Sequence, residues 1–210
     1  MTSPKIVPAG AAAARRTAAE TRQLILQAAT RRFAGQSYEE TSLRQIAADV
    51  GVDVALVHRS FGSKERLFVA VHESTSKAGD MLAAEPGTLA TSLAQRMVQP
   101  VAEEEGSSLL GLFVLARSFS SPQAGPLLRD FIQRDFTAPL AARFDAEGFS
   151  RDAMQRATLL TACLCGVAIF RHVLGMEALS EDGAETCEPL ITALLDTLTG
   201  EAIADPPPNA

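Results

Sequence analysis

Apolar residues along this chain recur with a helical period. Beyond Thr88 they return at intervals of three and four residues, and no convincing stretch alternates between polar and apolar positions. Intervals of three and four place side chains on one face of an α-helix, whereas a half-buried strand alternates with a period of two. The pattern therefore predicts an all-α fold of about nine helices.

Capping signals mark the first four of these helices. Suitable cap residues stand before each of them: Thr17, Ser42, Asp53 and Ser63. Glu20 and Gln45 follow the first two caps by three residues and complete capping boxes. Gly51 and Gly62 tolerate positive φ where the second and third helices end. Two short helices joined by such a turn are typical of a DNA-reading helix-turn-helix, whose second helix enters the major groove.

The later helices are longer and are interrupted by proline and glycine. One continuous helix is predicted from Ser63 to about Ala84, and it would join the helix-turn-helix mechanically to the rest of the chain. Further helices are predicted at about 88–103, 109–119, 125–146, 150–174 and 183–199. Pro100 should bend or stop the first of these, and Pro139 should kink the third.

A set of residues around the predicted turn carries a family resemblance. Its members are Ala28, Ala29, Phe33, Tyr38, Thr41, Ser42, Gly51, Val52, Phe61, Ser63 and Lys64. Through them, residues 17–73 resemble the DNA-binding domain of TetR-type transcriptional regulators. Residues 117–175 resemble a regulatory domain of one TetR subgroup, through the segments 121–128 and 170–174. The resemblance implies a helix-turn-helix domain at 17–66 and a regulatory and dimerisation domain at 67–202.

The resemblance also implies which residues of the second short helix meet DNA. Carried over position by position, they are Asp53, Val54, Ala55, His58, Arg59 and Ser60. Arg59 is the best candidate for a base contact, because a guanidinium can donate twice to guanine; a phosphate contact is the alternative. Lys64 matches a phosphate-binding lysine of the family and stands at a helix start, where free amides favour an anion.

Three further residues are candidate phosphate ligands. Thr41 and Ser42 precede the second helix, where simple capping is the alternative role. Arg44 lies on the exposed side of that helix and could equally be a solvated surface charge.

Charge divides the chain in a way that supports DNA binding. Residues 1–66 carry ten Lys and Arg against six Asp and Glu, a net charge of +4, whereas the remainder carries nine against nineteen, a net charge of −10. A basic first third with an acidic remainder is expected of a DNA-contacting module carried by a body that does not touch DNA. Residues 1–16 are predicted to be a mobile basic arm that reaches DNA or stays solvated, and 203–210 a disordered tail.

A ligand pocket is expected in the regulatory domain. Polar residues inside apolar helices are candidate ligand contacts, with apolar neighbours as walls: Arg117, Thr161, Arg171 and His172, then Met97, Phe113 and Phe119. Ordinary core packing or a surface ion pair is the alternative for each.

A dimer interface is expected from the last two helices. From Thr158 to Val173 apolar residues cover nearly the whole helix circumference, more than packing within one subunit requires. The resemblance implies a four-helix interface about a two-fold axis, with Leu164, Val167, Leu190, Leu194 and Leu198 as its predicted members. Such a dimer would bind a near-palindromic operator.

Several other classes are disfavoured. Cys163, Cys165 and Cys187 are too few for a disulfide framework and lack metal-site spacing, so we expect reduced thiols, a cytoplasmic location, and no metal or cofactor. No apolar run is expected to be long enough to span a membrane. No nucleophile elbow, Gly-rich loop or metal motif supports an enzyme.

The sequence therefore predicts a homodimeric transcriptional regulator, most simply a repressor. It would bind a double-stranded DNA operator and be released by a small-molecule effector. The alternative is a helical protein-interaction adaptor without sequence-specific DNA binding, which lacks the steep salt dependence of phosphate contacts. Activation instead of repression depends on operator position and leaves no trace in the chain.

Overall fold

The computed structural model describes residues 16–76, 79, 83, 88–99, 106–149, 151–180 and 183–200. Those residues form nine helices and no strands, which confirms the all-α prediction. The helices are α1 (Ala18–Gly35), α2 (Leu43–Val50), α3 (Val54–Phe61), α4 (Lys64–Thr75), α5 (Leu89–Val98), α6 (Gly106–Ser118), α7 (Ala124–Ile132, resumed at Ala138–Ala146), α8 (Ala153–Ala168) and α9 (Ala184–Thr199).

The first four helices begin where their caps predict. Both capping boxes are formed, and the Asp53 and Ser63 side chains accept hydrogen bonds from backbone amides of α3 and α4. Gly51 and Gly62 have φ of 72° and 83°, which a residue with a Cβ adopts only under strain. The tight turn between α2 and α3 is therefore determined by residues within the turn itself.

The fourth helix is shorter than the sequence predicted. It ends at Thr75, and Ser76 has extended backbone angles (φ −74°, ψ 137°), so the prediction of a continuous helix to Ala84 is wrong. The hydroxyls of Ser74 and Thr75 both donate to the Val71 carbonyl, at 2.9 and 3.0 Å. A carbonyl group at a helix end can accept a hydrogen bond from such a side chain in place of one from a backbone amide of the next helical turn.

Prolines shape two later helices. α5 stops at Val98 because Gln99, which precedes Pro100, is extended, as residues before proline tend to be. The predicted remainder of that helix, to about residue 103, lies outside the described residues. In α7 a π-helical turn at Gln133–Thr137 comes just before Pro139. The wider turn accommodates a residue that has no amide proton and whose ring crowds the preceding carbonyl.

Two hydrophobic clusters form the core. The first joins α1 to α4 with Val114 of α6 and Ala124 of α7. The second joins α5, the end of α7, α8 and α9. The helix-turn-helix thus shares its core with α6 and α7, so the packing crosses the predicted division at residues 66 and 67. Of the predicted arm and tail, only Arg16 is described, and its guanidinium donates to the Val50 carbonyl at 3.3 Å.

One helical stretch is long and apolar. By length and composition, Ala153–Val173 (α8 with a π-helical turn at Ile169–Val173) could cross a membrane, so the expectation that no run is long enough was wrong. Core helices of other proteins meet the same criterion. Here Ala157, Leu160 and Leu164 of α8 are buried in the second cluster.

Candidate nucleic-acid interface and ligand cavity

Helix α3 presents a polar face to solvent. Val57 and Phe61 are buried in the first cluster and fix the orientation of the helix. Ala55, His58 and Arg59 are consequently exposed on the opposite side. A short helix held by its apolar residues, with an arginine free on its outer face, can enter the major groove and read base edges.

The remaining predicted residues of α3 have less exposed positions. The Asp53 carboxylate accepts a hydrogen bond from the Ala55 amide at 2.7 Å, so this exposed residue acts as the helix cap. Val54 and Ser60 are half-buried, and Val54 packs against the first cluster. His58 Nδ1 lies 3.1 Å from the Gly62 carbonyl oxygen; because a carbonyl only accepts, this contact requires the proton on Nδ1.

The predicted phosphate ligands surround the starts of α2 and α4. Arg44 is exposed, and Ser42 is half-buried at the cap of α2. Lys64 is the first residue of α4, with its ammonium 4.1 Å from the centre of the Tyr38 ring. Burial lowers the pKa of Lys64, against the opposing influence of Glu39 and Glu65. Thr41 is buried and donates its hydroxyl proton to the Ser37 carbonyl at 3.1 Å, so in this structure it supports the turn.

A cavity of about 240 Å³ lies between the two hydrophobic clusters. Its walls come from α4, α5, α6, α7 and α8, and they are mainly apolar. Three of the seven predicted pocket residues line it: Met97, Thr161 and His172. The cavity therefore lies at the junction of the helix-turn-helix with the rest of the chain.

The other four predicted pocket residues lie elsewhere. Phe113 packs against the first cluster, and Arg117 is exposed. Phe119 is 52 % exposed and borders a separate surface groove. Arg171 is buried and donates to the Gln99 carbonyl at 3.3 Å, beyond the end of α5. Helix periodicity could not separate these positions, because it shows which residues share a face but not what that face contacts.

His72 is a cavity residue that the sequence did not single out as one. It is only 3 % exposed, and its ring lies between Phe68 (centroids 4.7 Å apart) and Phe131 (5.2 Å). Its Nε2 has no hydrogen-bond partner among the described residues. Burial lowers its pKa from 6.5 to about 4, so it is neutral near pH 7. A histidine on the apolar face of α4, four residues after Phe68, was the available signal.

His172 is the second histidine of the cavity. It is half-buried, and its pKa is lowered by burial and by the neighbouring Arg171 guanidinium. Cys165 also lines the cavity, and burial raises the pKa of its thiol. Cys163, Cys165 and Cys187 are free thiols. Within the described part of the chain, no group of three or more potential metal ligands comes together.

Large apolar side chains are exposed on α8, on the turns that follow it, and on α9. They are Met154, Leu159, Phe170, Leu174, Met176, Leu190 and Leu194. Of the predicted dimer residues, Leu190 is 67 % exposed and Leu194 49 % exposed. Val167 and Leu198 are half-buried. Leu164 is buried within its own subunit, where it lines the cavity, and so does not belong to this surface.

The tight turn, the capped second helix and its exposed arginine together define a helix-turn-helix DNA-binding protein. Two family models match the sequence: "Bacterial regulatory proteins, tetR family" over residues 25–71, and "Tetracyclin repressor-like, C-terminal domain" over residues 87–198. The second covers more than half of the chain. The chain therefore belongs to the TetR family and is a DNA-binding transcriptional regulator.

Solved structures agree with this fold. The repressor NalD of Pseudomonas aeruginosa, the secondary repressor of the MexAB-OprM multidrug efflux pump, has a TM-score of 0.64 at 20 % identity, over 84 % of this chain and 97 % of its own. Salmonella enterica GusR has a TM-score of 0.64 at 23 % identity, over 85 % and 95 %. A transcriptional regulator from Rhodococcus has a TM-score of 0.58 at 21 % identity, over 84 % and 96 %. No curated protein matches the chain significantly in sequence.

Proposed function

We propose that this regulator is a homodimeric repressor that a small molecule releases from a near-palindromic operator. The observation that carries the proposal is the position of α4. Its first residue, Lys64, lies beside the reading helix, and its later residues His72 and Thr75 line the cavity. One helix of 12 residues therefore belongs to both candidate sites.

In this proposal Arg59 reads a base, and phosphate contacts position the helix. Arg59 is exposed on α3 and can donate twice to guanine, which is worth about 1–3 kcal/mol of discrimination against other bases. In the proposal, Ser42 and Arg44 at the start of α2 and Lys64 at the start of α4 contact phosphates. Phosphate contacts supply most of the affinity but little of the sequence preference.

A column of aromatic rings supports coupling between the cavity and the DNA face. The Lys64 ammonium lies on the Tyr38 ring, the centres of the Tyr38 and Phe68 rings are 5.1 Å apart, and Phe68 contacts His72. A ligand that displaces His72 or Phe131 would repack this column and shift α4. It can drive release only by the difference between its affinities for the bound and released conformations.

Contacts between the helix-turn-helix and α7 support the same coupling. The Ser121 hydroxyl, just before α7, donates to the Glu39 carboxylate, and Arg134 in the π-helical turn of α7 donates to Glu73 of α4 at 2.8 Å. Movement of α7 around the cavity would therefore change the contacts of two residues of the DNA-binding region, Glu39 before α2 and Glu73 in α4.

The exposed apolar surface of α8 and α9 supports the homodimer. Several large apolar side chains exposed on neighbouring elements are typical of a surface that a partner covers. A two-fold copy would bury Leu190 and Leu194 against their equivalents and place two reading helices one helical turn apart, about 34–36 Å or a multiple. Free thiols and the DNA target support a cytoplasmic location.

A library selection tests the DNA-binding part of this proposal. Purified protein is incubated with random double-stranded DNA at moderate salt, and enriched sites are sequenced and titrated at several salt concentrations. We expect a near-palindromic site whose affinity falls steeply as salt rises. Arg59→Ala should lose about tenfold or more in preference for that site.

Arg129→Ala is the matched control, because it removes the same charge from an exposed position of α7 outside the helix-turn-helix. It should enrich the same site as the unmodified protein. Recovery of no enriched sequence, or binding that does not respond to salt, would contradict the proposal and favour the adaptor function instead.

A further inference from the structure

The polar groups of the cavity restrict the chemistry of its ligand. Thr161 and Thr75 already donate their hydroxyl protons to carbonyl groups of their own helices, at 2.8 and 3.0 Å. His72 Nε2, in contrast, is buried in the wall without a partner among the described residues. A buried polar atom that lacks a hydrogen bond costs about 1–3 kcal/mol, so a ligand that supplies the bond gains a specific advantage.

The charge of the residues that line the cavity further restricts the chemical class of its ligand. None of the described residues that line the cavity is acidic, and its one arginine, Arg96, is exposed and so lies at the rim. A cationic ligand would find no counter-charge inside. An anionic group placed beside His72 would be buried against a neutral imidazole and two phenyl rings, which is costly.

We infer that the effector is a small, uncharged, mainly apolar molecule whose hydroxyl group forms a hydrogen bond with His72 Nε2. This inference rests on the proposed function, because it identifies the ligand class of the same regulator. A hydroxyl both donates and accepts, so it satisfies either tautomer of a neutral histidine. A cavity of about 240 Å³ lies below the roughly 300–1,000 Å³ of sites for drug-sized ligands, so the molecule is smaller than those.

The test compares three probes of one shape that differ in a single group. They are para-propylphenol with a hydroxyl, propylbenzene with hydrogen, and para-propylbenzoate with a carboxylate. The chain contains three histidines, His58, His72 and His172, so the imidazole signals of the full-length protein can be assigned by NMR. Each probe is titrated into the protein, and affinity is read from the imidazole shifts and from calorimetry.

We expect para-propylphenol to shift the His72 signals and to bind about tenfold more tightly than propylbenzene, since one buried polar atom gains its partner. His58 on the DNA face should not respond. In His72→Phe, which keeps a ring between Phe68 and Phe131, the phenol should bind no more tightly than propylbenzene. His172→Phe should retain the preference for the phenol.

Other outcomes would overturn the inference. These are equal affinity of the phenol and propylbenzene for the unmodified protein, tighter binding of the benzoate, or loss of the preference in His172→Phe rather than His72→Phe. Failure of all three probes to shift the His72 signals would do so as well. If His72→Phe does not fold, the comparison of the three probes on the unmodified protein still tests the predicted preference for a hydroxyl group.

The same titrations separate this inference from the proposed function, because they require no DNA. If the phenol binds at His72 but leaves operator affinity unchanged, the ligand class stands and the release mechanism fails. If the operator selection succeeds but no hydroxyl preference is found, the repressor proposal stands and the ligand class fails.

Discussion

The two hydrophobic clusters of this molecule are built differently. In the first, all four helices of the DNA-binding region start at a residue whose side chain accepts an amide hydrogen bond, and the aromatic rings are enclosed. In the second, α8 and α9 follow Asp152 and Gly183 without such caps, and large apolar residues remain exposed. Local interactions thus specify the first region, whereas the second depends on tertiary packing, and its exposed apolar residues are the surface that the proposed dimer would cover.

Removing a ring from the first cluster should have the largest effect. Phe68 is fully buried and contacts Phe33, Tyr38 and His72, so Phe68→Ala leaves a cavity and should lower the free energy of unfolding by about 3–5 kcal/mol. Urea unfolding measures this. Phe119→Ala, the same change at an exposed position, should cost no more than about 0.5 kcal/mol. Equal losses would contradict the enclosure of Phe68 in the first cluster.

Acid should destabilise the protein through His72. The pKa of His72 is about 4 in the folded protein against 6.5 unfolded, so between these values the unfolded chain binds more protons. The free energy of unfolding therefore falls as pH drops from about 6.5 to about 4, by up to about 3 kcal/mol from this residue. His72→Phe should lack that part of the pH dependence. Identical pH profiles for both proteins would show that His72 is not buried as a neutral group.

A close contact between α4 and α6 predicts an intermediate loss. A Cβ added at Gly111 would lie 2.6 Å from the Thr75 Cβ, so Gly111→Ala should force the helices apart and cost about 1–3 kcal/mol. Gly166→Ala in α8 is the control, because a Cβ there meets no atom within 4 Å. That change should stabilise the helix by about 0.5–1 kcal/mol. The thermal unfolding temperature should fall in Gly111→Ala and rise in Gly166→Ala. A shift in the same direction in both variants would contradict the close contact between α4 and α6.

Loss of one cap should have a smaller effect. Ser42→Ala removes the side chain that accepts from the Gln45 amide and should cost about 1 kcal/mol. Ser42→Asn replaces it with another good cap residue and should remain within a few tenths of a kcal/mol of the original stability. If Ser42→Ala and Ser42→Asn have the same free energy of unfolding, the capping box does not stabilise α2.

The smallest effect on the stability of a single subunit is expected on the exposed surface. Leu190→Gln and Leu194→Gln change side chains that are 67 % and 49 % exposed on the subunit, so the free energy of unfolding of a subunit should change by about 0.5 kcal/mol or less. If this surface forms the dimer, sedimentation should nevertheless show a shift towards monomer at a given concentration. An unchanged sedimentation profile would place the dimer interface elsewhere.

Sequence reasoning succeeded where an element depends on neighbours within a few residues. The start of α3 depends on Asp53 and the amide of Ala55, and its end depends on the conformational freedom of Gly62. It failed at the end of α4, where hydroxyls of Ser74 and Thr75 compete for a carbonyl in a segment whose apolar pattern continues to be helical. Arg171 was mistaken for a pocket residue because its partner, the Gln99 carbonyl, is 72 positions away.

The amino-acid sequence by itself determined the helical class, the capped helix-turn-helix and the residues that its reading helix can present to DNA. These features follow from the helical period, from caps and from glycine turns, all of which act over a few residues. Only the tertiary structure decided which apolar faces meet, and therefore where the cavity lies. The His72 ring is buried in the cavity wall because Phe131, far away in the chain, packs against it, whereas α4 alone would leave the ring in solvent.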